Sequence, residues 1–139
     1  MKSLTLALAT LLFFTSAACK KNSPEKELEK KLIGKWKFTG RTGGLAGSSE
    51  PAKPAVKNSI EFKKGGKYIR YTNDEPMFQG DYKLSKAKSI YTGKVDNTIR
   101  FDPKIDSPET GKILSIIGDT LAISDNFNDG YTAGYVRIN

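Results

Sequence analysis

Histidine is absent from the 139 residues, and cysteine occurs once, as Cys19. The first absence excludes histidine triads, histidine metal ligands and the usual general base near neutral pH. The second excludes an internal disulfide and every cysteine zinc cluster. Catalysis would have to rest on carboxylates, Lys, Tyr or Ser, so the expectation is a protein that is not an enzyme, with no metal and no cofactor. Also missing is the run of about 20 apolar residues that a membrane-spanning helix needs. The longest apolar stretch, "LTLALATLLFF" from Leu4 to Phe14, stops after 11 residues at Thr15 and Ser16. What the chain has in excess is positive charge: 23 Lys and Arg against 15 acids, a net +8. Its length suits a single domain.

Lys2, the apolar run and the small residues "TSAA" before Cys19 have the layout of a secretory signal. "SAAC" resembles the lipobox of bacterial lipoproteins, with Ser16 where leucine is usual. That resemblance implies cleavage after residue 18, lipid on Cys19, and a place in the cell envelope, at the outer membrane. The division expected is therefore a signal peptide over 1–18, a tether with a short helix over 19–31, and a domain over 32–139. In the tether, Ser23 can cap a helix that Pro24 opens, with Glu25 and Glu27 near its positive end. Leu28 and Leu32 fall one turn apart, a narrow apolar face suited to closing the end of a barrel.

After Gly34 the spacing changes to short alternating runs separated by turns. "WKFTG" sets Trp36 and Phe38 on one face, and "SIEF" does the same with Ile60 and Phe62. "KGG" (Lys64 to Gly66) offers a tight hairpin turn into "KYIRYT". In "MFQGDYKL", Phe78, Gly80, Tyr82 and Leu84 face one way and Gln79, Asp81 and Lys83 the other. "SIYT", "NTIRFD", "KILSII", "TLAIS" and "YTAGYVRI" follow. About nine such segments predict an all-β, antiparallel up-and-down meander, closed as a barrel or folded as a sandwich. Thr42 to Lys57, rich in Gly, Ser and Pro, reads as a long loop and not a strand. Asp102 to Gly111 is the second long connection.

The order "LIGKWKF", "SIEFKKGGKY", "GDYKL", "GDTLAI", "GYVRI" resembles the lipocalin-like lipoproteins of bacterial envelopes, over Leu32 to Ile138. The resemblance implies a calycin-type barrel of 8–9 strands with Trp36 at its closed end, packed against Arg137 as a structural closure. It also implies that Thr42 to Lys57 lies across the open end as a lid.

Eight strands enclose an interior just wide enough for side chains or one small ligand. Phe38, Phe62, Phe78, Tyr82, Phe101, Leu121 and Ile123 are expected to face inward, and they could fill the space or line a cavity. The hairpin register decides two more positions. A three-residue turn with a bulge sets Tyr68 opposite Phe62 and brings Arg70 inside; a one-residue shift puts Ile69 and Tyr71 there instead. The candidate lumen residues are thus Phe62, Tyr68, Arg70, Phe78, Tyr82 and Phe101. "DNFNDG" (Asp125 to Gly130) has Phe127 where a calcium loop needs an oxygen ligand, so it reads as a turn. Asp74-Glu75 and Asp102/Asp106 lie in Pro-flanked loops that would not hold a carboxylate pair at fixed separation. The expectation is a lipid-anchored monomer that binds a small apolar or amphipathic ligand and no nucleic acid. A filled barrel that acts on another envelope protein through its loops or N-terminal tail is the alternative.

Overall fold

Local chemistry starts the fold at a helix. In the computed structural model, which describes residues 23–103 and 111–138, α1 spans Pro24–Leu32. The Ser23 side chain accepts from the Lys26 N–H, Pro24 occupies the first turn, and Glu25 and Glu27 stand in the first turn with Lys30 and Lys31 in the last, matching the helix dipole. The apolar run, Cys19 and Asp106 lie outside the described residues.

Nine strands follow: β1 (Gly34–Gly43), β2 (Ser48–Pro51), β3 (Asn58–Lys63), β4 (Lys67–Thr72), β5 (Glu75–Lys88), β6 (Val95–Phe101), β7 (Lys112–Ile117), β8 (Thr120–Ser124) and β9 (Tyr131–Ile138). All pair antiparallel, in the order β2-β1-β3-β4-β5-β6-β7-β8-β9, and β9 returns to β1. Eight strands therefore make a closed barrel, and β2 stands outside it as the ninth. Closure pairs every ring strand on both sides, most sparsely between β6 and β7, where only Thr98–Ile113 and Ile99–Lys112 meet.

Two details depart from the sequence reading. "SIYT" is not a strand. Ser89 is buried, and its Oγ accepts from the N–H groups of Tyr91 and Thr92, turning the chain where β-branched and aromatic residues suggested extension. The stretch Thr42 to Lys57, expected to be loop throughout, contains the end of β1 and all of β2. Gly43, Gly44 and Gly47 take positive φ, and the resulting turn pairs Gly43 with Ser48 and Arg41 with Glu50. An Arg41–Glu50 ion pair at 2.8 Å spans the hairpin. Since β3 pairs with β1 only over Gly34–Lys37, β2 takes the same side of β1 farther along, over Gly40–Gly43. The first part of the segment is thus a hairpin, and Ala52 to Lys57 keeps the expected loop.

The barrel has two unlike ends. At one, α1 covers the opening: Leu32 is buried, and Leu28 packs against the core. Trp36, wholly buried at 0% exposure, donates its indole N–H to the Leu32 carbonyl at 2.8 Å. The Arg137 guanidinium lies 4.1 Å from the centre of the Trp36 rings. It also donates to the carbonyls of Ile33 at 2.9 Å and Lys31 at 2.6 Å. One side chain thus stacks on the core and satisfies acceptors that the end of α1 leaves without partners. Above this layer Phe62, Tyr82, Ile99, Leu114 and Leu121 fill the interior.

Candidate functional site

The opposite end is not filled. There residues of β1, β3, β4, β5 and β9 surround a cup of about 350 Å³. Phe38, Ile60, Phe78 and Tyr135 supply apolar wall, Asn58, Ser59 and Thr72 supply polar groups, and Arg70 adds a cation. The β3–β4 turn puts Arg70 in this company. Lys63 pairs with Lys67 across the three residues Lys64 to Gly66, so Phe62 faces Tyr68 and Ile60 faces Arg70. The glycines at 65 and 66 take φ of 77° and 71°, values that a side chain disfavours. Of the two registers open from sequence, this is the one with Tyr68 and Arg70 inward.

On its other side Arg70 pairs with Phe78, and Met77 is the extra residue of a bulge before Tyr71 meets Pro76. The bulge carries Phe78 to the rim, where it is 51% exposed. Phe38 and Tyr135 meet edge to face at 5.6 Å across β1 and β9, an arrangement favoured by the ring quadrupoles.

Below the cup the guanidinium of Arg70 lies 5.5 Å from the Tyr68 ring centre and 5.2 Å from that of Phe101. Tyr68 is buried, and its hydroxyl donates to Asp102 Oδ2 at 2.7 Å. Asp102 in turn accepts from the Asp81 N–H at 3.0 Å and donates its own N–H to the Asp81 carbonyl at 2.7 Å. This reciprocal pair holds Asp102 at a φ of 48°, so the floor of the cup is anchored to the end of the β5–β6 ladder. Asp102 is therefore engaged in structure, and its suggested partner Asp106 lies outside the described residues.

The six candidate lumen residues thus divide into layers. Arg70 and Phe78 line the cup, Tyr68 and Phe101 lie directly beneath Arg70, and Phe62 and Tyr82 belong to the packed core. Tyr135, Asn58 and Thr72 line the cup without having been singled out from sequence. Tyr135 was within reach, because it lies two residues from Arg137 in an alternating strand. Among the described residues no group of His, Cys, Asp or Glu could hold a metal ion, and "DNFNDG" forms the turn between β8 and β9.

Burial keeps the core phenols protonated. Tyr82 is pushed up to about 12, first by burial and then by the Glu29 carboxylate. Tyr68 is pushed up further, by burial and then by its bond to Asp102, with Arg70 acting in the opposite sense. An unfolded chain releases these protons near pH 10, before the folded chain does. The stability they secure is therefore complete below pH 10 and is lost as pH rises toward 12. The urea midpoint is expected to hold up to about pH 9.5 and to fall between about pH 10 and 12. Tyr82→Phe should blunt that fall; an unchanged profile in the variant would rule out Tyr82 as a source.

No family model matches the chain, and no curated protein or solved structure does either. The barrel and its cup carry the functional reading.

Proposed function

We propose that this protein is a lipid-anchored binding module of the bacterial cell envelope, with a lipocalin-like barrel whose open end takes a small apolar or amphipathic ligand. The observation that carries the reading is the division of the interior: a packed lower layer under a cup of about 350 Å³ with Phe38, Ile60, Phe78 and Tyr135 in its walls. That volume is at the small end of the 300–1,000 Å³ usual for ligand pockets. The anchor is supported by Cys19 directly after the apolar run and small residues, four positions before Ser23 caps α1. Binding without catalysis is supported by the tied Asp102 and by the lack of histidine in the chain.

The ten elements among the described residues lie within 24–138, so a chain starting at Lys20 carries all of them. Native mass spectrometry of that chain is expected to show a co-purified or added small apolar molecule that leaves on denaturation. A clean mass with no shift from envelope lipid extracts would overturn ligand binding and favour a protein partner for the loops. The anchor is checked separately: full-length chain made in bacteria should gain the mass of acyl chains, and Cys19→Ser should abolish the gain.

A further inference from the structure

Arg70 is the feature that binding of a merely apolar molecule leaves unexplained. It sits on the inward face, between Ile60 and Phe78, where a leucine or phenylalanine would complete the wall. Among the described residues it forms no salt bridge. The nearby acids are committed elsewhere: Glu61 to the Tyr71 hydroxyl, Asp102 to Tyr68 and the Asp81 N–H, and Asp74 to Lys35. Arg70 is exposed to the opening of the cup, so its charge stays hydrated and open to an incoming anion. Its guanidinium lies near two rings, Tyr68 and Phe101. These ring contacts occupy none of its N–H donors, which leaves the guanidinium fork for a planar anion. The Tyr135 hydroxyl, also at the cup, donates to no group among the described residues.

Building on the binding function proposed above, we propose that the ligand is a monocarboxylate amphipath, its carboxylate forked by Arg70 at the floor of the cup and its apolar body rising along Phe38, Ile60, Phe78 and Tyr135. One guanidinium balances one negative charge, which favours a carboxylate over a phosphate dianion. The orientation also accounts for the rim. Met77 and Phe78 are 68% and 51% exposed, and an apolar chain leaving the cup would cover them.

The test uses three probes with one tail on the Lys20–Asn139 chain: decanoate, decanol and decyltrimethylammonium, followed by calorimetry and by chemical shifts of the cup residues. Decanoate is expected to bind at least about tenfold tighter than decanol, and the cation weakest. Arg70→Gln should bring decanoate down to the level of decanol while leaving decanol within about threefold of its original affinity. Arg70→Lys should keep part of the preference, since an ammonium supplies charge without the fork. Equal binding of decanoate and decanol to the unaltered protein would overturn the carboxylate assignment and leave the binding function standing. Loss of decanol binding in both Arg70 variants would make Arg70 a structural residue and overturn the assignment too. Failure of all three probes to shift the cup residues would overturn both.

Discussion

Trp36→Ala is expected to cost about 5 kcal/mol, enough to leave a domain of ordinary stability largely unfolded near 37 °C. Truncating a buried Trp or Phe costs about 3–5 kcal/mol from lost transfer energy and the cavity left behind. Here the indole also donates to the Leu32 carbonyl and supports the Arg137 guanidinium from below. Its removal leaves a helix-end carbonyl without its donor and a cation without its ring, adding about 1 kcal/mol or more. Trp36→Phe, which keeps a ring beneath Arg137, should cost roughly half as much. Trp36 is the only tryptophan, so unfolding in urea has to be followed by far-UV circular dichroism. A cost below about 2 kcal/mol for the alanine variant would show that the closed end can collapse around the gap and is not the keystone of the barrel.

Gly80→Ala is expected to cost about 3 kcal/mol, although alanine is among the mildest of substitutions. Gly80 does not have a positive φ, so the backbone would accept a side chain. The obstacle is space: a Cβ built there lies 2.1 Å from Asp102 Oδ1 and 3.0 Å from Tyr68 Cε1. The carboxylate has to swing away, and with it go the bonds from the Tyr68 hydroxyl and the Asp81 N–H. Bonds to a charged acceptor contribute about 1.5–3 kcal/mol each, and a buried hydroxyl left unpaired adds its desolvation cost. The control is a double-mutant cycle with Tyr68→Phe, in which the hydroxyl has already gone. The glycine substitution should then cost about 1 kcal/mol less. Strict additivity would mean that Asp102 keeps its bond to Tyr68 by moving elsewhere.

Much of this architecture was legible in the residues, and the misses have physical causes. Period-two alternation in "WKFTG", "SIEF" and "MFQGDYKL" placed Trp36, Phe62 and Tyr82 in the interior. The cap at Ser23 and the apolar pair Leu28 and Leu32 located the helix that covers one end. β2 was not legible, because "SSEP" lacks any apolar alternation. Its extended form comes from pairing with Gly40–Gly43 of β1, a tertiary effect that overrides weak propensity. "SIYT" erred the other way: its composition favours a strand, but the Ser89 hydroxyl captures the neighbouring N–H groups. At the site, the side to which Arg70 points depended on the length of one turn, which sequence left open between two registers. The role of Asp102 had no sequence signal, because it exists only where the end of β6 pairs with β5 beside Tyr68.

The pairing of β1 with β9 bears on how the molecule comes together in time. Trp36 and Arg137 are neighbours across that seam, yet 104 positions separate Ile33 from Arg137, which bonds to it. Contacts this distant in sequence pay a large loop-closure entropy before they return any stabilisation, so ring closure falls late and slowly. Until β9 arrives, β1 and β8 each present a bare strand edge, and the indole that later anchors the closed end has no guanidinium above it. An emerging chain therefore passes through an open, adhesive sheet, and its protection comes all at once with the final strand.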